Sequence, residues 1–251
     1  MPRNLKPTTI STVPQRQVDG AHPMRFVLIS DTHGLHDHIT LPKGDILLHC
    51  GDFTNMGMQE ELDDFFKYVA KYGDGQFKHI VMIVGNHEWA PDLIVRRRFN
   101  KHFSSEQALL TSQYHLLLDE ELIIHDDNGK PIKIYGSRYK PSISLPLMRD
   151  SVKKNVFESI PHDIDMLLTH FPVIKNKMDV TCKGKSRGSE ELTKLIDGNH
   201  FNKLKVHCFG HNHDTRGFYH EEHTDRLFVN GVSIMGDKHQ DNVAQPFVFD
   251  F

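Results

Sequence analysis

Five short blocks of Asp, Asn and His residues offer metal and phosphate chemistry in this sequence. They are Asp31-Thr32-His33, Gly51-Asp52, Gly85-Asn86-His87-Glu88, His170 and Gly210-His211-Asn212-His213. Carboxylates gathered in one cleft require positive charge among them, because an isolated ionised carboxylate is costly away from water. Two carboxylates, four histidines and one asparagine over-supply a single divalent ion, so the set predicts two ions that share a bridging carboxylate. Paired metals about 3.5–4 Å apart catalyse in-line displacement at phosphorus.

Each of these blocks follows a stretch that is predicted to be a buried strand. The apolar runs are Met24–Ser30, Asp45–Cys50, Lys78–Val84, Ile164–Thr169 and Lys205–Phe209. Short continuous apolar runs are typical of strands that are buried on both faces. In open α/β sheets the ligand crevice lies outside the carboxyl ends of the strands. One fold would therefore bring all five blocks into one cleft.

Helical periodicity and turn residues predict the remaining elements. Helices are predicted at Met58–Tyr72, Leu93–Phe103, Val152–Ile160 and Ser189–Ile196. Asn128-Gly129 between two strand-like runs predicts a hairpin of Glu121–His125 with Pro131–Tyr135. Further strands are expected from Gly217 onwards, including Phe228–Val232 and Phe247–Phe251. The alternation favours an α/β domain over residues 24–251, with one mixed sheet or two packed sheets, preceded by a flexible arm at residues 1–23.

The composition excludes several classes of protein. The chain has 251 residues, a mass of 29.0 kDa and a formal charge of −3, so it lacks the basic excess of a dedicated nucleic-acid-binding protein. No run of about 20 apolar residues is present, and the N-terminus has no apolar signal-peptide region. The three cysteines are far apart in the sequence and predict no disulfide framework. These features predict a cytoplasmic protein that does not enter membranes.

The blocks DTH, GD, GNHE, TH and GHNH, in this order, resemble the calcineurin-like metallophosphoesterase superfamily. The resemblance implies an α/β sandwich of two mixed β-sheets flanked by helices. It also implies a ligand set in which the first metal is bound by Asp31, His33 and His213, Asp52 bridges, and the second metal is completed by Asn86, His170 and His211. His87 is then expected to stay off the metals and to protonate the leaving oxygen or steady the phosphate.

Departures from the protein phosphatases of this superfamily narrow the expected substrate. Met56 and Val84 stand where those enzymes carry phosphate-gripping arginines, and Asn55 stands where they carry the Asp that orients the catalytic His. The runs SDTH, GDILLHCGDF, IVGNHE, IYGSRY and IDMLLTHFP are similar to a branch named for its metallophosphoesterase domain, with members in animal brain. That branch is similar to class III cyclic-nucleotide phosphodiesterases. It implies hydrolysis of a small phosphodiester, with cyclic nucleotides among the candidate substrates, supported by manganese; iron and zinc also suit these ligands.

Alternative interpretations stay open at this level. The same site suits a phosphomonoesterase or a nuclease, and some proteins keep this fold as an interaction scaffold with little catalysis. The Lys183–Arg187 stretch contains a GKS triplet, but Asp179 stands where a P-loop requires Gly. That stretch is predicted to be a loop that either stays mobile or brings Lys or Arg toward a substrate phosphate. The remaining histidines, including His49, are predicted to lie at the surface or the edge of the core.

Overall fold

The protein is built from two six-stranded β-sheets with helices on their outer faces. The computed structural model describes residues 11–12, 23–72, 75–103, 113–139, 156–236 and 243–251. The strands of the first sheet, from edge to edge, are β1 (Ser11–Thr12), β12 (Phe247–Asp250), β2 (Arg25–Ile29), β3 (Ile46–His49), β4 (His79–Met82) and β5 (Tyr114–Leu116). Strands β2 to β5 are parallel, and β12 runs antiparallel to β2.

The second sheet has a parallel centre and an antiparallel hairpin at each edge. Its strands, from edge to edge, are β10 (Gly217–Glu221), β11 (Arg226–Asn230), β9 (Val206–Phe209), β8 (Met166–Leu168), β7 (Pro131–Gly136) and β6 (Glu120–His125). The pairs β6–β7 and β10–β11 are antiparallel, and the other pairs are parallel. Both sheets are therefore mixed, which confirms the predicted α/β sandwich of two mixed sheets.

Three apolar clusters bury both faces of both sheets. The central cluster contains residues of both sheets, such as Phe26 and Leu48 from the first and Ile134 and Leu168 from the second. The outer face of the first sheet packs under α1 (Gln59–Ala70) and α2 (Asp92–Phe103), and the outer face of the second packs under α3 (Glu190–Asp197). Because both faces of the central strands are covered, these strands have continuous apolar sequences rather than alternating ones.

The predicted elements differ from the observed ones mainly at their ends. The strand runs were expected to extend to Ser30, Cys50, Val84 and Thr169, but each ladder ends one or two residues earlier. Those terminal residues leave the sheet because they begin the loops that carry the site. Ser189 was expected to begin a helix, and it is the N-cap: its side chain accepts a hydrogen bond from the Leu192 N–H, and α3 starts at the next residue.

Three short elements were missed, and two predictions fall partly outside the described residues. Strands β1 and β5 and a 3₁₀ helix at His36–His38 were not predicted, because two or three residues give no readable periodicity. Of the helix predicted at Val152–Ile160, residues 156–160 are described; residues 156–158 are helical, and the helix ends two residues before Ile160. Of the predicted arm at residues 1–23, Ser11–Thr12 pair in parallel with β12, and its division from the domain stays a prediction. Within the described residues, no helix combines the length and the apolar character that a membrane span requires.

Candidate metal centre

The five blocks lie together at the carboxyl ends of the central strands. The loop after β2 pairs with the loop after β3 through backbone hydrogen bonds, from the Asp31 N–H to the Gly51 carbonyl (2.9 Å) and from the His33 N–H to the Asp52 carbonyl (3.1 Å). The His211 N–H, after β9, donates to both carboxylate oxygens of Asp31 at 3.0 Å. The sheets thus bring the first, second and fifth blocks into direct contact.

Several of these residues adopt a backbone conformation that L-amino acids rarely take. The φ angles of Asp31, His33, Asp52 and His211 are 52°, 42°, 54° and 66°. Positive φ is uncommon outside glycine and costs about 1–3 kcal/mol where it is enforced. Such residues cluster at functional sites, where the surrounding structure over-determines them. Here the residues with positive φ lie in the turns that follow β2, β3 and β9, and these turns bring their side chains close together.

Two glycines of the blocks leave space for the carboxylates. A Cβ at Gly85 would lie 2.2 Å from Asp52 Oδ1, and a Cβ at Gly210 would lie 2.1 Å from Asp31 Oδ2. No side chain fits at either position without displacing the carboxylate. The Gly in each of these motifs is therefore explained by the close approach of a carboxylate.

The ligand atoms form overlapping groups, and Asp52 links them. Asp31, His33 and His213 form one group whose ligand atoms all lie within 4.8 Å of one another, and Asp52, His170 and His211 form a second group by the same measure. Asp52 Oδ2 lies 3.1 Å from His170 Nε2 in the second group and 3.9 Å from His33 Nε2 in the first. Asp52 therefore stands between the two groups.

The seventh predicted ligand, Asn86, lies in the second group. Its Oδ1 is 3.0 Å from His170 Nε2. The structure thus brings together all seven residues that the sequence analysis predicted as ligands. How they share the metals between them stays a prediction.

The hydrogen bonds of three histidines fix their tautomers. The Nδ1–H groups of His33, His170 and His213 donate to the backbone carbonyls of Thr54, Cys50 and Ile234, at 3.1, 2.8 and 2.6 Å. A carbonyl oxygen only accepts, so Nδ1 must carry the proton in each ring. In the neutral imidazole Nε2 then presents a lone pair, which is the arrangement that metal-ligating histidines adopt.

These lone pairs face other acceptors, so the donor set fits divalent cations. His33 Nε2 and His213 Nε2 are 3.4 Å apart, and His213 Nε2 is 3.3 Å from Asp31 Oδ1. Burial lowers the pKa of His213, but the hydrogen bond to Asp31 raises it overall, so in the absence of an ion a proton is held between these atoms. A cation between them satisfies all of these atoms at once. The mixture of imidazole, carboxylate and amide ligands without thiolate suits manganese, iron or zinc.

The pKa shifts of the ligand residues also favour the binding of cations. Burial raises the pKa of Asp31 and of Asp52, but the charges and hydrogen bonds of nearby histidines lower both pKa values overall. Burial lowers the pKa of His170, yet the charge of Asp52 and the hydrogen bond to it raise that pKa to about 9. Burial lowers the pKa of His211 to about 3. The two carboxylates thus stay ionised, and their negative charges favour cations in the site.

His87 is held beside the two groups by backbone contacts. Its Nδ1–H donates to the Asn55 carbonyl at 2.6 Å, and its backbone N–H donates to Asp52 Oδ1 at 2.7 Å. One of its ring nitrogens lies within 4.8 Å of the ligand atoms of His33 and Asp52. The sequence analysis noted that Asn55 replaces the Asp that orients this His in protein phosphatases. The backbone carbonyl of the same residue provides an orienting contact instead.

Glu88 supports the site and was not assigned a role from the sequence. Its carboxylate is fully buried and accepts hydrogen bonds from the backbone N–H groups of Gly85, Asp52 and Thr54 at 2.6, 2.9 and 3.0 Å. The Thr54 hydroxyl donates to it as well, at 2.9 Å. Glu88 thereby ties the second block to the third. Its place in the GNHE block indicated a role in the site. Sequence alone does not distinguish a metal ligand from a residue that supports the site through hydrogen bonds, which is here called a brace.

The prediction that His49 lies at the surface or the edge of the core is wrong. His49 is buried, and burial lowers its pKa to about 3. The Gly51 N–H donates to His49 Nδ1 at 3.2 Å, so Nε2 carries the proton and donates to the Thr32 hydroxyl at 3.3 Å. His49 therefore links the first block, through Thr32, to the second block, through Gly51.

The metal-binding groups open into a cleft of about 300 Å³. The cleft is lined by residues of the metal-binding groups and of the 181–187 loop. The first set comprises Asp52, Asn86, His87, His211 and His213, and the loop contributes Lys183, Lys185 and Arg187. The sequence analysis left open whether this loop approaches the site, and the structure places it at the cleft.

Comparison with known proteins identifies the family. The family model described as calcineurin-like phosphoesterase matches residues 24–215. The chain belongs to the calcineurin-like phosphoesterase family. Membership of this family indicates a hydrolase that acts on phosphoesters.

The chain is also similar in sequence to individual proteins over most of its length. The chain is 30% identical to human metallophosphoesterase domain-containing protein 1 over 213 residues, which are 77% of this chain and 61% of that protein. It is 26% identical to a UPF0046 protein of Caenorhabditis elegans over 250 residues, covering 98% of this chain and 81% of the relative. A second UPF0046 protein of that organism is 30% identical over 241 residues, covering 90% and 80%. The relatives thus include a member of the branch named for its metallophosphoesterase domain, which the sequence analysis described.

Proposed function

We propose that the protein hydrolyses phosphodiesters at a centre of two divalent metal ions. The observation that carries the proposal is the position of Asp52 between two groups of ligand atoms, with histidine nitrogens on both sides. Asp31, His33 and His213 would hold one ion, and Asn86, His170 and His211 would hold the other, with Asp52 shared. When bound, two such ions lower the pKa of water and neutralise charge on phosphoryl oxygens.

His87 is the residue proposed to move a proton. Its Nδ1–H is bound by the Asn55 carbonyl, which leaves Nε2 as the nitrogen available to the cleft. A ring protonated on both nitrogens keeps that carbonyl contact and offers Nε2–H to the departing alkoxide oxygen. General acids of this kind contribute about 10²–10⁴-fold to a rate.

Two side chains favour diesters over monoesters. Met56 and Val84 occupy the positions where protein phosphatases of this family carry arginines. A monoester dianion benefits from bidentate arginine contacts more than a diester monoanion does. Val84 is fully buried and Met56 is about half exposed. Both side chains are uncharged, so neither replaces an arginine at the scissile phosphate. Cyclic nucleotides remain among the candidate diesters.

The test compares diesters and monoesters with the same aryl leaving group. Metal-stripped protein would be reconstituted with manganese, iron or zinc and assayed on bis(p-nitrophenyl) phosphate, p-nitrophenyl phosphate and the 2′,3′- and 3′,5′-cyclic nucleotides. We expect a higher kcat/KM on the diester, and a loss of at least about a hundredfold in Asp52→Asn. A preference for the monoester would move the protein to the phosphomonoesterases. Metal binding without turnover would favour a scaffold.

A further inference from the structure

The 181–187 loop beside the metal centre has a defined conformation. The Gly184 N–H donates to the Thr181 carbonyl at 2.8 Å, and the Thr181 N–H donates to the Lys185 carbonyl at 2.9 Å. Gly184 adopts φ +74°, which favours glycine at this turn. The Ser186 hydroxyl donates to Asp179 Oδ2 at 2.5 Å at the base of the loop. The loop is therefore a closed turn with internal hydrogen bonds.

One contact from this loop and one from the segment just before it fix it against the loop that carries two of the proposed ligands. The Cys182 N–H donates to Asp214 Oδ2 at 2.9 Å, and the Asn212 side-chain amide donates to the Met178 carbonyl at 3.0 Å. Asn212 and Asp214 alternate with His211 and His213 in the sequence. The cationic turn and the metal ligands are thus held in one arrangement, so little ordering is required when a ligand binds.

The turn presents positive charge to the cleft. Lys183, Lys185 and Arg187 line it and are exposed. Within the part of the chain that the structure describes, neither Lys185 nor Arg187 has an ion pair with a carboxylate. Apart from Asp52, the acidic residue of the lining is Asp214, whose Oδ2 accepts the Cys182 N–H. The part of the cleft that this turn lines therefore has more cationic than anionic side chains.

We propose that Lys185 and Arg187 form a second anion subsite, which binds a phosphate group of the substrate other than the scissile one. This inference rests on the proposed function and names the substrate class: phosphodiesters that carry an additional phosphomonoester. A scissile diester has one negative charge, which two divalent ions already neutralise, so two further cations exceed its requirement. A phosphomonoester is a dianion near pH 7 and accepts several charge-assisted hydrogen bonds.

A matched pair of substrates tests the subsite. Thymidine 5′-(p-nitrophenyl phosphate) and its 3′-phosphorylated form share the scissile bond and the leaving group, and differ by one phosphate. We expect manganese-loaded wild type to show a KM about tenfold lower for the 3′-phosphorylated form, equal to about 1.4 kcal/mol of binding free energy, with similar kcat. The ratio should fall to within about twofold in Lys185→Gln/Arg187→Gln. The control Lys203→Gln, exposed and outside the cleft, should keep the wild-type ratio.

Direct binding separates this inference from the proposed function. Calorimetry would compare thymidine 3′,5′-bisphosphate with thymidine 5′-monophosphate on the manganese-loaded protein. The subsite predicts tighter binding of the bisphosphate, lost in the double variant and kept in Lys203→Gln. Equal KM values for the two substrates in wild type, or a ratio unchanged by the double variant, would overturn the subsite while diester hydrolysis stands. Failure to hydrolyse either substrate would contradict the proposed function, and calorimetry would then decide the subsite alone.

Discussion

Hydrogen bonds to backbone carbonyls orient the histidine rings of the site. In His33, His87, His170 and His213 a backbone carbonyl accepts the Nδ1–H, so each ring presents Nε2 to the centre. Two of these carbonyls, those of Thr54 and Asn55, belong to adjacent residues after the second block. Backbone partners are less easily lost by substitution than side-chain partners. This explains how His87 is oriented without the Asp found in protein phosphatases.

Replacing His87 tests its role as a proton donor. In His87→Ala we expect kcat on an alkyl diester to fall by roughly 10²-fold, because the alkoxide then departs unprotonated. On an aryl diester the loss should stay below about tenfold, because p-nitrophenolate needs little protonation. Steady-state kinetics on the two substrates measure the difference. Equal losses on both would show that His87 steadies the phosphate rather than donating a proton.

Replacing Glu88 tests the brace beneath the site. In Glu88→Gln one carboxylate oxygen becomes an NH₂ group that faces two N–H donors, or one N–H and the Thr54 hydroxyl. Each buried donor left without an acceptor costs about 1–3 kcal/mol, so we expect the free energy of unfolding to fall by about 2–4 kcal/mol. Urea denaturation measures it. The exposed Glu60→Gln should change it by less than about 0.5 kcal/mol; a similar small change in Glu88→Gln would disprove the brace.

At the scale of elements, helix α1 connects the core to the second block. Phe65 is fully buried, stacks on Phe53 with ring centroids 4.3 Å apart, and lies 5.0 Å from the His49 ring. Phe53 directly follows Asp52. The packing of this helix therefore supports the turn that carries the shared carboxylate.

Truncating Phe65 tests that connection. Phe65→Ala should lower the free energy of unfolding by about 3–5 kcal/mol, because a buried ring is replaced by a cavity. Lys67→Ala on the exposed face of α1 is the matched control and should change it by less than about 0.5 kcal/mol. Thermal and urea unfolding of the metal-free proteins give both values. A loss near that of the control would mean that α1 does not support the second block.

The sequence predicted these elements well where burial makes strong patterns. The runs of β2, β3, β4 and β9 were recognised because both faces of each strand are covered. The strand β5 was missed, because three residues at a sheet edge carry little signal. The five blocks could be recognised because each follows a strand end, and the resemblance to the metallophosphoesterases implied which of their residues are ligands. The roles of Glu88 and His49 depend on contacts between distant blocks, which no single stretch of sequence records.

At the scale of the molecule, several buried histidines are neutral in the folded state. Burial lowers the pKa of His49 and of His207 to about 3. Burial and the neighbouring His79 lower the pKa of His115 to about 4. In the unfolded chain a histidine takes up a proton near pH 6.5. The unfolded state therefore binds more protons than the folded state as the pH falls below that value, so acid favours unfolding.

The pH dependence of stability tests this description. The contribution of these histidines should be complete above about pH 6.5 and should be lost progressively as the pH falls toward about 3–4. Urea denaturation of the chelator-treated protein at pH 7.0 and 5.5 should show a lower free energy of unfolding at the lower pH. His125→Gln, at an exposed position, should keep the same difference. Equal stability at the two pH values would contradict the burial of neutral histidines.

The two-metal centre is the claim on which the proposed chemistry depends, and metal stoichiometry tests it most directly. Metal-stripped protein would be saturated with manganese, dialysed, and analysed for manganese per chain by mass spectrometry. The structure predicts two ions per chain in wild type and one in either His211→Ala or His213→Ala, because each variant damages a different group. A wild type that binds a single ion, or none, would contradict the account.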